Sequence, residues 1–394
     1  MENFIDFNLN IMKKNQSLEK LTSKTISELE KIYNFINPNA VIVQGDTITG
    51  FAAAVSAFYQ KIPVFHVEAG LRTHNLHFPF PEEFNRISID DISSLYFAPT
   101  DWAASNLLKE NKNSNNIFVT GNTVVDVLQL TLNNNTPSVK IKKLIEKAKS
   151  LCLSESDCKI ILLTCHRREN YFKPIYNILT AIQSLLKDFN IVIIFPFHLN
   201  PNIKQSIKNA IPNTVYDDII SGKKITNDNY LYLNRFLIIP PLNYIDSIHL
   251  ESVSYFIMTD SGGIQEEGVS IGKPVLILRE NTERPEAIKS GSAVLAGTSF
   301  DKIYNLGSSL LKNKELYDKM AKVQYIYGKG NSRIIISEII QNYFQNQSQN
   351  LNKLNYSLIL SQYDYSKYQS KDSIFINNEN VQFIIYDIVI VLTV

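Results

Sequence analysis

The chain has 394 residues, 44% hydrophobic and 20% charged, with 39 basic side chains against 38 acidic ones. It is too apolar and too nearly neutral for a disordered protein. It also has no overall field with which to hold nucleic acid or an anionic membrane. The length suits two domains of ordinary size with a sizeable core. Cys152, Cys158 and Cys165 form an odd set without C-x-x-C spacing. Neither a disulfide framework nor a zinc site is therefore expected, and a reducing cytoplasm is. Residues 1–10 show no basic, apolar leader. The nearest apolar run, residues 383–394, is too short for a membrane span and is broken by Asp387.

In chain order, Leu18, Leu21, Ile26, Leu29, Ile32 and Ile36 recur every three to four residues. They predict a helix over 17–36, stopped by Asn37-Pro38. A strand over 40–43 then runs into Gln44-Gly45-Asp46, followed by an Ala-rich helix over 48–60 and a strand over 63–67. Strands over 95–98 and 117–120 flank a helix over 101–110. A linker near 130–155 contains a charged helix over 139–150, after which the pattern restarts. Strands are expected over 159–164, 190–195, 236–239, 255–258 and 274–278, with a helix over 175–186 and others between the later strands. Strands alternating with helices predict parallel sheets covered on both faces. The polar stretch 213–234 reads as a surface insertion, and a helix over 332–344 as the close of the second half. The expected domains are residues 1–135 and 155–330, then a closing helix over 331–345 and a weakly ordered tail over 346–394.

In open parallel sheets, ligands bind outside the carboxyl ends of the strands. The chemically informative residues fall there. Asp260-Ser261-Gly262-Gly263 leaves a strand and opens a helix. Its glycines let backbone approach an anion, and the helix start offers free N–H groups and a positive dipole end. Glu267, one turn inside, is placed to accept from a ribose hydroxyl. A plain turn capped by Ser261 explains the same residues. Arg284 in Thr282-Glu283-Arg284-Pro285-Glu286 offers a rigid fork for diphosphate, or a salt bridge to Glu283 or Glu286. Asp46, Glu68 and Glu82 sit at strand ends or in a Pro-rich loop. Glu68, between Val67 and Ala69, either pairs with Arg72 or Arg86 or has the raised pKa that general acid/base work requires. Otherwise such carboxylates cap backbone turns. His166, with Arg167 and Arg168, suits phosphates or a solvated basic turn. His198 and His66, between apolar neighbours, read as structural histidines, and Cys165 as a packing residue.

Together these motifs resemble the non-hydrolysing UDP-N-acetylglucosamine 2-epimerases. The matching segments, in order, are Gln44-Gly45-Asp46-Thr47, His66-Val67-Glu68-Ala69-Gly70-Leu71-Arg72-Thr73 and Phe80-Pro81-Glu82-Glu83-Phe84-Asn85-Arg86. Gly121-Asn122-Thr123-Val124, His166-Arg167-Arg168-Glu169 and His198-Leu199-Asn200-Pro201 follow. Then come Thr259 to Glu267, Gly272-Lys273-Pro274-Val275 and Thr282 to Glu286. The resemblance spans roughly residues 5–345.

The resemblance implies an α/β, GT-B-like fold: two Rossmann-type domains with parallel sheets and an active-site cleft between them. It implies a cytoplasmic homodimeric isomerase that uses no metal or nicotinamide. UDP is eliminated from UDP-GlcNAc to give 2-acetamidoglucal, then added back while C2 is protonated on the opposite face, giving UDP-ManNAc for surface polysaccharide. By the resemblance, Asp46, Glu68, Glu82 and His166 are the catalytic set. Arg86, His198, Ser261, Gly262, Gly263, Glu267 and Arg284 contact substrate. His198 and an arginine beside His166 also match a region where the family binds UDP-GlcNAc as an effector. The family pattern opens with a strand ending in Gly-Thr-Arg-Pro-Glu, which has no counterpart before Phe7. A first sheet short of one strand, poor stability and weak turnover are expected of this chain alone. Competing readings are a hydrolysing epimerase releasing ManNAc, a GT-B glycosyltransferase and a remnant that only binds UDP-sugar.

Overall fold

The computed structural model describes residues 7–13, 16–152, 154, 157–165, 167, 173–197, 205, 208–211, 213–350 and 390–392. The chain forms two compact units, residues 1–123 with 328–394 and residues 124–327. In the first, strands β1 (Ala40–Gln44), β2 (Val64–Val67), β3 (Leu95–Ala98) and β4 (Ile117–Val119) lie side by side in that order, all parallel. All four residues of β2, and of β3, are buried. Burial on both faces is why these strands read as continuous apolar runs rather than alternating ones. Ser17 accepts from the Lys20 N–H and so caps the Leu18–Ile36 helix, which Asn37 ends in the left-handed conformation. Ala53, Ala54 and Ala57 of the Ile48–Tyr59 helix pack on Val41 and Val43 with Leu29 and Tyr33. Their small side chains permit that close approach. The β1–β2 register pairs Val43 with His66 and Gln44 with Val67. Gly45-Asp46 and Glu68 therefore leave the same edge of the sheet.

The second unit holds β5 (Lys159–Thr164), β6 (Ile191–Pro196), β7 (Phe236–Ile239), β8 (Phe256–Thr259), β9 (Val275–Ile277) and β10 (Ala293–Leu295). They form one parallel sheet in the order β10-β9-β8-β5-β6-β7. The strand order reverses at β5 and β8, the place where doubly wound sheets open a ligand crevice.

Three expectations are corrected. Residues 213–234 are not a surface insertion. Asn213–Ser221 is a helix and Asp228–Arg235 a 3₁₀ helix, and Val215, Tyr216, Ile219, Ile225 and Leu233 enter the main core of the second unit. Their helical spacing was obscured by the polar residues between them. The last long helix, Ser332–Asn350, does not close the second half: Ile336 and Ile340 pack with Ala40, Phe65, Val67 and Phe97 on the first sheet. Cys152 and Cys158 form a disulfide, their Cα atoms 5.6 Å apart, where the Val139–Ser150 helix gives way to β5. Cys165 is free and buried. The outer edge of β1 is paired, antiparallel, with β11 (Ile390–Leu392), so Ala40 faces Leu392. The rest of the expected tail beyond residue 350 lies outside the described residues. No described helix is long and apolar enough to cross a membrane.

Candidate active site

At the carboxyl edge of the first sheet, Gly45 turns the chain with φ +68°. A Cβ there would stand 3.4 Å from Glu68 Oε2, so the turn lies against the Glu68 carboxylate. Glu68 itself holds φ +69°. A left-handed glutamate is sterically disfavoured and persists only where the surroundings enforce it; such residues concentrate at functional sites. Here the Glu68 N–H donates to Phe97 O at 3.0 Å. The Asp46 carboxylate pairs with Arg86, and Asn85 Nδ2 donates to Asp46 O at 2.8 Å.

Arg86 is buried and also donates to Glu83 Oε2 at 2.8 Å. The other oxygen of Glu83 accepts the N–H groups of Thr73 and His74, both at 2.8 Å. Glu83 thus clamps the loop after β2 onto the Glu82–Ile92 helix. Glu82 is the first residue of that helix, one turn before Arg86. Its Oε2 is buried with no hydrogen-bond partner among the described residues. The structure brings Asp46, Glu68 and Arg86 together and places Glu82 on the helix that carries Arg86.

The second unit builds a site where its strand order reverses. Thr164 Oγ1 and Thr259 Oγ1, ending β5 and β8, are 2.6 Å apart. Asp260 accepts the Arg167 N–H through Oδ2 and the Arg167 Nε–H through its carbonyl, both at 2.9 Å. The Gly262–Ser270 helix starts here. Ser261 stands at its N-cap without a side-chain capping bond, so the plain capped turn does not account for it. A Cβ on Gly263 would meet nothing within 4 Å, leaving the helix N–H groups approachable. Arg284 lies against Gly262 and pairs with Glu266 and Glu283, and Glu283 also holds Arg279 at 2.9 Å. Both arginines are buried.

Glu267 is buried one turn into the helix, and that burial pushes its carboxyl up to about 7 against the pull of the Tyr244 hydroxyl. Glu251, also buried, is raised well above the ordinary carboxyl range by burial and then by the charge of Glu267. His166 and His198 lie outside the described residues. Glu83, Arg279 and Glu251 were not singled out from sequence. Tyr244, Ser247 and Glu251 share one helical face, but an acid on a polar helix face reads as solvated.

A family model described as UDP-N-acetylglucosamine 2-epimerase matches residues 2–341. The UDP-N-acetylglucosamine 2-epimerase of Neisseria meningitidis serogroup A is 42% identical over 339 residues, covering 86% of this chain and 85% of that protein. That of Bacillus subtilis is 42% identical over 340 residues, covering 86% and 82%. Among solved structures, the Neisseria meningitidis enzyme bound to UDP-GlcNAc matches with TM-score 0.75 at 41% identity, covering 85% of each chain. The Methanocaldococcus jannaschii enzyme in complex with UDP-GlcNAc and UDP matches with TM-score 0.70 at 33% identity, covering 86% of this chain and 84% of that one.

Proposed function

The chain belongs to the UDP-N-acetylglucosamine 2-epimerase family, and we propose that it interconverts UDP-GlcNAc and UDP-ManNAc by eliminating UDP and adding it back with inversion at C2. One carboxylate among Asp46, Glu68 and Glu82 takes the C2 proton. The C1–O bond breaks, UDP departs and a C1–C2 double bond forms. A protonated carboxyl from the same set then delivers a proton to the opposite face of C2 as the diphosphate oxygen returns to C1. This chemistry needs an acid and a base on either side of one carbon. In support, Glu68 is held in a left-handed backbone against the Gly45 turn, next to Asp46 and its partner Arg86. That observation carries the reading.

In this proposal the N-terminus of the Gly262–Ser270 helix, through Ser261, Gly262 and Gly263, receives the diphosphate. Arg284 borders it, and Glu267 accepts from the ribose diol. Arg86 acts by setting Asp46 rather than by gripping the ligand. His166 serves the phosphate side and His198 a substrate contact. A cytoplasmic homodimer, with UDP-GlcNAc also acting as effector, completes the proposal. Size-exclusion chromatography with light scattering checks the dimer.

The decisive experiment incubates the protein with UDP-GlcNAc in deuterated water. Deuterium at C2 together with UDP-ManNAc is the expected result. Release of free ManNAc would move the chain to the hydrolysing relatives, and ligand binding without C2 exchange would refute the reaction.

A further inference from the structure

Beneath the Gly45 turn lies a buried chain of charges for which the reaction as written has no use. His66, in the middle of β2, is fully buried. Its Nδ1 is 2.6 Å from Asp90 Oδ1 and its Nε2 is 2.8 Å from the Gly45 carbonyl oxygen. The second oxygen of Asp90 accepts from Arg72 Nη2 at 2.7 Å and from the Gly70 N–H at 3.2 Å. Arg72 continues to Glu110, its Nε at 2.7 Å and Nη2 at 2.6 Å from the two carboxylate oxygens.

The inventory of donors orients the ring. A carbonyl oxygen only accepts, so Nε2 carries hydrogen. Nδ1 faces Asp90 Oδ1, while the other Asp90 oxygen serves Arg72 and Gly70. Burial works to raise Asp90, but His66 and Arg72 outweigh it and hold the carboxyl below its ordinary range. The cross-strand neighbour Tyr96 adds no charge: burial, then Asp90 and Asp91, push it up to about 12. Asp46 and Glu68 are the other acids near this end of the strand.

We propose that His66 is a positioning residue of the active site, whose two ring-nitrogen bonds tie the Gly45 turn to Asp90 and, through the turn, fix the carboxylates of Asp46 and Glu68. The turn is gripped from both sides. The Gly45 N–H donates to Val67 O at 3.0 Å, and the Gly45 carbonyl receives the His66 Nε2–H. The next residue is Asp46, and the turn's inner face rests on Glu68. Without the ring, the Gly45 carbonyl and Asp90 Oδ1 would each lose this partner. The placement of Asp46 and Glu68 as reacting groups rests on the proposed epimerisation; the contacts of His66 do not.

The test uses protein labelled with ¹⁵N-histidine, with the His66 signals assigned by their loss in His66→Gln. Nε2 is expected to carry the hydrogen that meets the Gly45 carbonyl. An unprotonated Nε2 in the folded protein overturns the proposal. Kinetically, His66→Gln and Asp90→Asn are expected to lower kcat on the order of 10²-fold, as for a small misplacement of reacting groups, with KM changed less than about threefold. His249→Gln, on the second unit and bonded to Asn135 O, serves as the unaffected control. A folded His66→Gln protein with full kcat also overturns the proposal. Should wild type fail to exchange C2, the epimerase reading falls, and the ring-nitrogen signature still decides whether His66 holds the Gly45 carbonyl.

Discussion

The Arg284 guanidinium rests directly on Gly262: a Cβ added to that glycine would stand 2.5 Å from Arg284 Nη1. Glycine is required here by its neighbour, not by a special backbone angle. Arg284 cannot retreat freely, because Glu266 and Glu283 hold it. Gly262→Ala is therefore expected to cost about 1–3 kcal/mol through overpacking and to weaken UDP binding roughly tenfold, equivalent to about 1.4 kcal/mol. Thermal unfolding and calorimetric titration with UDP measure the two. An alanine variant with unchanged affinity would show that Arg284 is not a wall of the anion site.

Glu68→Gln keeps the size of the side chain and removes its proton chemistry. Loss of kcat on the order of 10²- to 10⁴-fold is expected, with C2 deuterium exchange lost in step and KM little changed. Arg86→Met acts differently. It strips the partner from buried Glu83 and from Asp46, so it is expected to destabilise by roughly 3–5 kcal/mol as well as to slow turnover. Denaturant unfolding beside kinetics separates the two variants.

The buried acids Glu267 and Glu251 make the second unit pH-dependent. In the unfolded chain each ionises near the ordinary value of 4.5; folded, Glu267 ionises near 7 and Glu251 well above its ordinary value. Over the interval the folded state holds more protons, so stability falls as pH rises above 4.5. The contribution of Glu267 is lost by about pH 7, and that of Glu251 as pH rises through its own raised value. Glu251→Gln is expected to gain on wild type in stability progressively as pH rises above the unfolded value of 4.5, read by denaturant midpoints. A ribose diol donates best to an ionised Glu267, so UDP affinity should climb by up to tenfold per pH unit below 7 and flatten above it. In Glu267→Gln that climb should vanish. Calorimetric titrations between pH 5.5 and 8.5 test this, and a parallel slope in the variant would remove Glu267 from the ligand site.

Ile340 sits in the core of the first sheet with Phe65 and Phe97, although the chain reaches it only after the whole second unit. Ile340→Ala is expected to cost about 2–5 kcal/mol. On a solvent-facing helix the same change would stay within about 0.5 kcal/mol, so one denaturation curve decides.

The strand ends were legible because the central strands of both sheets are buried on both faces. Their apolar runs are continuous, and they stop abruptly at Gly45-Asp46, Glu68 and Asp260. The pairings were not legible. Arg86 meets Asp46 across 40 residues and Arg284 meets Glu266 across 18, distances that only tertiary packing closes. The same holds for His66 and Asp90, 24 residues apart. The helix Ser332–Asn350 carries Ile336, Ile340 and Tyr343 at helical spacing, but that spacing does not name the sheet it covers. Glycine motifs pointed to the helix start where an anion is proposed to bind, and only the fold showed that buried Glu251 feels the charge of Glu267.

The first unit is assembled from the two ends of the chain, residues 1–123 and 328–394, with residues 124–327 between them. A ribosome delivers these parts in order. The second unit is complete as soon as residue 327 clears the exit tunnel, while the first sheet still waits for Ile336 and Ile340 to cover it. Domains fold as units during synthesis, so the nascent chain spends the translation of some two hundred residues with the apolar face over Phe65 and Phe97 uncovered. A chain released after residue 331 would carry a finished second unit attached to an open first sheet, the form of this protein that chaperones are expected to meet.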